Sequence, residues 1–242
     1  MKSTKKQKEA KRIEYIDLDF LERYRKDGLA YNYINSVKGI YLTDRWDASY
    51  PSDFMVRKVY PRVTIPRDGG DSQPYYVERI SFKQNSGLYF IAWFDDNETK
   101  KLVLSALKYL ADEGIGTDRH VGNGLFDFEE DTLTLTDISS EYAINLSLYC
   151  PESHESVRNI LDDNKVAYEI ITRGGWITTH GYNTLRKKYI RMFKEGSILK
   201  LSSNMGGKIV DITPDIQKLP DHKKKIHPIY RIGKAIFLNV NC

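Results

Sequence analysis

Gly114, Gly116, Gly122 and Gly124 surround Arg119 and His120 within eleven residues, GIGTDRHVGNG. Glycine admits positive φ and lets another backbone come close. Exposed N–H groups of such a loop can hold phosphate oxygens, and Arg119 adds a cation. The loop follows a predicted helix and precedes a predicted strand. Dinucleotide and P-loop sites have the reverse order, and no Gly-Lys-Ser/Thr is present, so a nucleoside triphosphatase is not indicated. The bland alternative is a tight structural connection. A second segment, Arg57-Lys-Val-Tyr-Pro-Arg-Val-Thr-Ile-Pro-Arg67, alternates Arg57, Lys58, Arg62 and Arg67 with Val59, Val63 and Ile65. As an exposed hairpin it would lay cations along RNA while Tyr60 or Tyr75 stacked on bases. The competing reading is an edge strand guarded by charge. A third segment runs from Arg173-Gly-Gly-Trp176 to Arg186, Lys187 and Lys188. There Arg186 and Lys187 are candidates for phosphate contact, and Trp176 is expected in a core or a domain interface.

These segments need elements to position them. Residues 87–94, GLYFIAWF, read as a strand buried on both faces. Residues 97–112 place Val103, Leu107 and Leu110 at helical spacing behind Asn97 as a cap. Residues 125–135 alternate like a strand leaving the glycine loop. A similar order follows. Residues 142–149 form a strand, broken by Pro151. Ser153 caps a helix burying Val157, Ile160 and Leu161. Strands are expected at 166–172, 186–193, 208–212 and 229–240, with a turn at Glu195-Gly-Ser197 and an interruption at Gly233. Strand–helix–strand order with few helices predicts an α+β chain of two small units, and a split β-α-β arrangement of ferredoxin-like type fits each half. The expected division is 1–136 and 137–242.

The 242 residues are 40% hydrophobic and 29% charged, a globular and not a disordered mixture. No apolar run is long enough for a membrane helix, and the basic start lacks the features of a secretory leader, so no membrane partner and a cytoplasmic location are expected. Cys150 and Cys242 form neither metal-ligand spacing nor a disulfide framework. A net charge of +4 is mild, but its distribution is uneven. Clusters lie at Lys2 to Arg12, Arg57 to Arg67, Arg186 to Arg191 and Lys223 to Lys225. Separated basic clusters of this kind track a polyanion.

Together these motifs resemble the RAMP superfamily of CRISPR proteins. Residues 114–128 (GIGTDRHVGNGLFDF) are similar to its glycine-rich loop. The order of PRVTIPR (61–67), GLYF (87–90), LKYLADEGIG (107–116), RGGW (173–176), EGS (195–197) and HPIYRIGKAIFL (227–238) is similar to that of the fourth Csm subunit, the guide-capping family of type III-A effector complexes. The resemblance implies two ferredoxin-like (RRM-like) domains and no catalytic activity or cofactor. Its implied partners are the 5′ tag of the CRISPR RNA, the large signature subunit and the RAMP backbone subunits. It places Gly114, Gly116, Arg119, His120, Gly122 and Gly124 at an RNA-contacting loop, and Arg62 and Arg67 on a protruding hairpin. The family opens with an apolar strand where this sequence is lysine-rich, so the first domain is expected to lack its first strand and helix. Thr117, Asp118 and His120 also replace small or basic residues, and Asp118 is expected to oppose phosphate unless Arg119 screens it.

Some RAMP relatives cut repeat RNA with a histidine base. His120 and His180 are the candidates here, but no fixed acid partner for either is legible. The five histidines form no metal-ligand pattern. A generic RRM-like RNA-binding protein is the remaining alternative, and the RNP-type aromatic motif is absent.

Overall fold

A computed structural model describes residues 12–28, 37–38, 40–43, 54–116, 118–177, 185–201, 206–215 and 226–241. The predicted basic clusters at Lys2 to Lys11 and Lys223 to Lys225, and also Thr117, His180 and Cys242, lie outside the described residues. The chain forms a mixed α/β structure with several small sheets, clustered into two compact units. One comprises residues 1–45 and 134–242, the other residues 46–133. The predicted division at 136/137 falls close to the second junction. Residues 1–45, however, cluster with the C-terminal part and not with the residues that follow them.

In the first unit, strand β1 (Tyr15–Ile16) leads into helix α1 (Leu18–Asp27). Asp17 caps α1, its Oδ1 accepting from the Phe20 N–H at 2.7 Å. Short strands β2 (Val37–Lys38) and β3 (Tyr41–Leu42) complete a small sheet in the order β1-β3-β2. Arg25 fixes α1 to the C-terminal part of the unit. Its buried guanidinium donates to the carbonyls of Asn239 and Thr136, each at 3.0 Å, and also pairs with Glu22. A buried guanidinium is tolerable only when its donors are satisfied in this way.

The C-terminal part contains β6 (Tyr142–Asn145), helix α3 (His154–Leu161), β7 (Ile170–Arg173), β8 (Ile190–Phe193), β9 (Ile198–Lys200), β10 (Ile209–Asp211), β11 (Tyr230–Ile232) and β12 (Phe237–Asn239). Strand β6 lies between β12 and β9, while β7–β8 and β10–β11 are antiparallel pairs. The predicted strand 142–149 therefore stops at Asn145. Its buried side-chain amide donates to the carbonyls of Ser147 and Lys194 at the bend that interrupts the ladder, which resumes as a bridge between Tyr149 and Phe193. Ser153 caps α3, as its sequence position predicts. Ile160, Tyr149, Phe193 and Leu199 form one buried cluster; Cys150, Ile190, Met192 and Ile212 form another.

The second unit is built from β4 (Met55–Thr64), β5 (Gln73–Phe82) and helix α2 (Asn97–Glu113). The first two form an antiparallel hairpin in uninterrupted register from Met55↔Phe82 to Thr64↔Gln73. Asp96, not Asn97, caps α2, with its Oδ1 2.7 Å from the Thr99 N–H. Two predicted strands are corrected here. Residues 87–94 and 125–135 are not hydrogen-bonded into any sheet among the described residues. Nor are residues 87–94 buried: Tyr89 is 88% and Trp93 70% exposed. β propensity is local, whereas pairing and burial need a neighbour, and among the described residues none pairs with these runs. No described helix is long and apolar enough to cross a membrane.

Candidate nucleic-acid interface

Side chains alternate across the two strands of the hairpin, so its register decides which charges share a face. Lys58, Tyr60 and Arg62 of β4 lie on the same face as Tyr75 and Arg79 of β5. Lys58 and Arg79 are direct cross-strand partners. Like charges in that position repel, and a bound anion would relieve the repulsion. The Arg79 guanidinium sits 5.1 Å from the centre of the Tyr60 ring. Arg57 is on the opposite face and is paired with Glu78, Nη1 to Oε1 at 3.3 Å. The hairpin thus separates Arg57 from Lys58 and Arg62. It also adds Arg79, which the sequence reading missed because only cross-strand register reveals its place. Arg67 lies in the exposed connection between the strands.

The glycine loop begins where α2 ends. Gly114 has φ +81°, and its N–H donates to the Leu110 carbonyl at 2.8 Å, closing the last turn. The neck of the loop is shut by Ile115 N–H donating to the Gly124 carbonyl at 2.9 Å. A Cβ on Gly124 would run into the Ile115 carbonyl oxygen. This pair of glycines is therefore required by the loop's own closure. Gly116 and Gly122 differ: both have positive φ, but a Cβ at either would meet nothing within 4 Å. There is room beside both for an incoming group, although the Gly122 N–H already donates to the Arg119 carbonyl at 2.9 Å. Between them Arg119, His120 and Val121 form one 3₁₀ turn, exposed on all three side chains.

The loop and hairpin, both in the second unit, come together through Arg62 and Asp118. Nη2 of Arg62 is 3.7 Å from Oδ2 of Asp118, an ion-pair distance longer than a hydrogen bond. Asp118 itself is left-handed, at φ +59°. Arg62, and not the expected Arg119, is therefore the cation that offsets the Asp118 charge. The remaining candidates, Arg186 and Lys187, lie in the first unit. Arg186 is exposed and Lys187 half-buried; both follow the segment 178–184, which is outside the described residues. Among the described residues no group of three or more His, Cys, Asp and Glu side chains is gathered for a metal ion.

Residues 139–240 match the family model of the CRISPR Csm4 C-terminal domain. Two curated relatives carry the name CRISPR system Cms protein Csm4. That of Thermococcus onnurineus is 30% identical over 140 residues, covering 58% of this chain and 43% of the relative. That of Methanocaldococcus jannaschii is 29% identical over 198 residues, covering 74% of this chain and 50% of the relative. The chain thus spans about half the length of the curated relatives it matches. Among solved structures, one of the Csm3–Csm4 subcomplex in the type III-A CRISPR–Cas interference complex aligns with a TM-score of 0.46. It is 24% identical over 78% of this chain and 54% of that one. The C-terminal part of the chain carries a Csm4 C-terminal domain.

Proposed function

We propose that this chain, similar to Csm4 and carrying its C-terminal domain, is a non-catalytic subunit of a type III-A CRISPR effector complex that holds the 5′ tag of the guide RNA. The observation that carries the reading is the union of two anion-binding devices in one unit. The hairpin presents Lys58, Arg62 and Arg79 with Tyr60 and Tyr75 on one face. Beside it, tied by Arg62 and Asp118, stands a loop with room beside Gly116 and Gly122 and exposed Arg119 and His120. Phosphate contacts of this kind fix a backbone in register without reading its sequence. Stacking on tyrosine would hold splayed bases. Sequence recognition of the target is then left to pairing by the guide. The fold that goes with this role is a pair of ferredoxin-like units. The corresponding partners are the large signature subunit and the RAMP backbone, which the chain would bridge in the cytoplasm.

The test is binding of the chain, with and without the large subunit, to an RNA bearing the repeat-derived 5′ tag and to one with that tag scrambled. Preference for the tag, sharpened by the partner and leaving the RNA intact, is the expected result. Equal binding to both RNAs would reduce the chain to a generic RNA-binding protein, and cleavage without metal would turn attention to His120.

A further inference from the structure

Strands β7 and β8 do not end where their regular ladder ends. Beyond Arg173↔Ile190 the two chains stay together through Lys187 N–H to the Gly175 carbonyl and Ile177 N–H to the Leu185 carbonyl, each at 2.9 Å, with a bridge between Trp176 and Arg186. Gly174 and Gly175 lie within this extension. A Cβ on Gly174 would collide with the Tyr189 ring, so the ring rests on bare backbone that only glycine provides. The Arg186 guanidinium carbon lies 4.5 Å from the centre of the Trp176 ring. From the same group Nη1 donates to the Tyr189 hydroxyl at 3.1 Å. One arginine therefore fixes two aromatic side chains. Even so, Trp176 is 51% and Tyr189 62% exposed.

Of the two places expected for Trp176, a core or a domain interface, its exposure excludes the core. Two half-exposed rings held in place by one arginine present fixed π-faces to a partner. The surrounding charges identify the partner. Arg173, Arg186, Lys187, Lys188 and Arg191 all belong to these two stretches. Among the described residues no carboxylate forms an ion pair with Arg173, Arg186, Lys187 or Arg191. Lys188 lowers the Asp211 carboxyl, but less than its bonds to Thr213 do. Apolar protein partners would meet an apolar rim. A cationic rim around preset aromatic rings matches a polyanion that also offers π-faces.

We propose that Trp176 and Tyr189, fixed by Arg186 over Gly174, form a stacking platform for an unpaired base of single-stranded RNA. This rests on the RNA-holding reading above but concerns a different unit, and no residue of the hairpin or glycine loop takes part. Arg191, two residues on from Tyr189 and on the same face of β8, and Lys187 supply the neighbouring phosphate contacts. Duplex RNA is a poor occupant, because its bases are already stacked and its edges recessed.

The experiment uses the full chain and a fluorescein-labelled, mixed-sequence single-stranded RNA of about 12 nucleotides, within the usual range of site sizes. Trp176→Ala should weaken binding roughly 5- to 100-fold, the span of losses seen when a stacked aromatic is removed. The slope of log affinity against log salt should stay as in the wild type, because the lost contact carries no charge. Trp176→Phe should restore most of the affinity. In a Trp46→Phe, Trp93→Phe background the remaining tryptophan should be quenched by the single strand and not by the same RNA annealed to its complement. Wild-type affinity in Trp176→Ala, or a changed salt slope with no quenching, would overturn the platform while leaving the RNA-holding reading standing. If the wild-type chain binds none of these RNAs, both fall together.

Discussion

The two units solve the problem of staying folded differently. The unit of residues 1–45 and 134–242 buries Tyr149, Ile160, Met192, Leu199 and Val240 almost completely. The unit of residues 46–133 buries none of its described hydrophobic side chains, and helix α2 has no buried residue at all. Its order comes instead from backbone bonds: the long β4–β5 ladder, the capped turns of α2 and the closed neck at Ile115 and Gly124. Apolar burial is the dominant favourable term in folding, so the first unit carries its own stability. The second displays Leu88, Tyr89, Trp93, Leu102 and Tyr109 to solvent, in the unit that holds the glycine loop and basic hairpin. A buried core and an exposed apolar surface thus occupy different stretches of the same chain.

The sharpest way to break this contrast is to remove one leucine from each unit. Leu199→Ala deletes a side chain that is fully buried against Tyr149, Ile160 and Phe193. It should cost about 2–5 kcal/mol in urea unfolding followed by the far-ultraviolet signal. Leu102→Ala removes an exposed side chain of α2 and should cost less than about 0.5 kcal/mol. Comparable losses would mean that the second unit buries this helix after all.

What the sequence disclosed follows the same division between local and tertiary causes. The cap at Ser153, the periodicity of α2 and the positive φ of the loop glycines are set within a few residues, and each was legible. Asn97 was mistaken for the cap because Asp96, one position earlier, offers the same Asx chemistry. Burial of residues 87–94 could not be read, since an apolar run says what a segment tolerates and not what covers it. Arg79 was missed because its approach to Tyr60 depends on a register fixed across the hairpin. Asp118 was read as a liability of the loop, whereas Arg62 from a distant segment reaches it. Trp176 was expected in a core or a domain interface; the Arg186 guanidinium that lies over its exposed ring comes from the paired strand and acts through space.

A smaller effect separates the two faces of the hairpin. Arg62→Ala removes a cation from the face shared with Lys58 and Arg79. It should reduce RNA affinity and lower the salt slope by roughly one unit, the value for one phosphate contact. Arg57→Ala acts on the opposite face, away from Lys58, Arg62 and Arg79, and should leave the slope unchanged. Equal slopes for both variants would remove the one-faced hairpin from the proposal. Measuring each from 50 to 300 mM salt, about the range over which counterion release dominates, is sufficient.

The smallest expected effect is a dependence of the first unit on acid. Burial raises the Glu22 carboxyl, but hydrogen bonds from Thr136 and the Arg25 guanidinium outweigh it and hold the group below its ordinary 4.5. The Asp163 carboxyl is held below 3.8 by the Lys165 N–H first, then by the Tyr142 hydroxyl and Lys200. A carboxyl lowered on folding binds its proton more readily in the unfolded chain. Its contribution is therefore present above these ordinary values and is lost as pH falls through the lowered ones. Unfolding midpoints taken downward from pH 6 should stay level and then drop below about pH 4.5, the ordinary carboxylate range. Asp163→Asn keeps the shape but cannot change charge, so its midpoint should start lower and fall less steeply. Asp163 bridges β6, through Tyr142, to β9, through Lys200, in the unit with the built core. In the second unit Asp96 is likewise lowered by its bonds to Thr99, but it caps only the exposed end of α2. Acid should thus loosen that cap locally while weakening the first unit as a whole. A midpoint in Asp163→Asn that tracks the wild type at every pH would separate the acid response from this network and leave the two units alike in it.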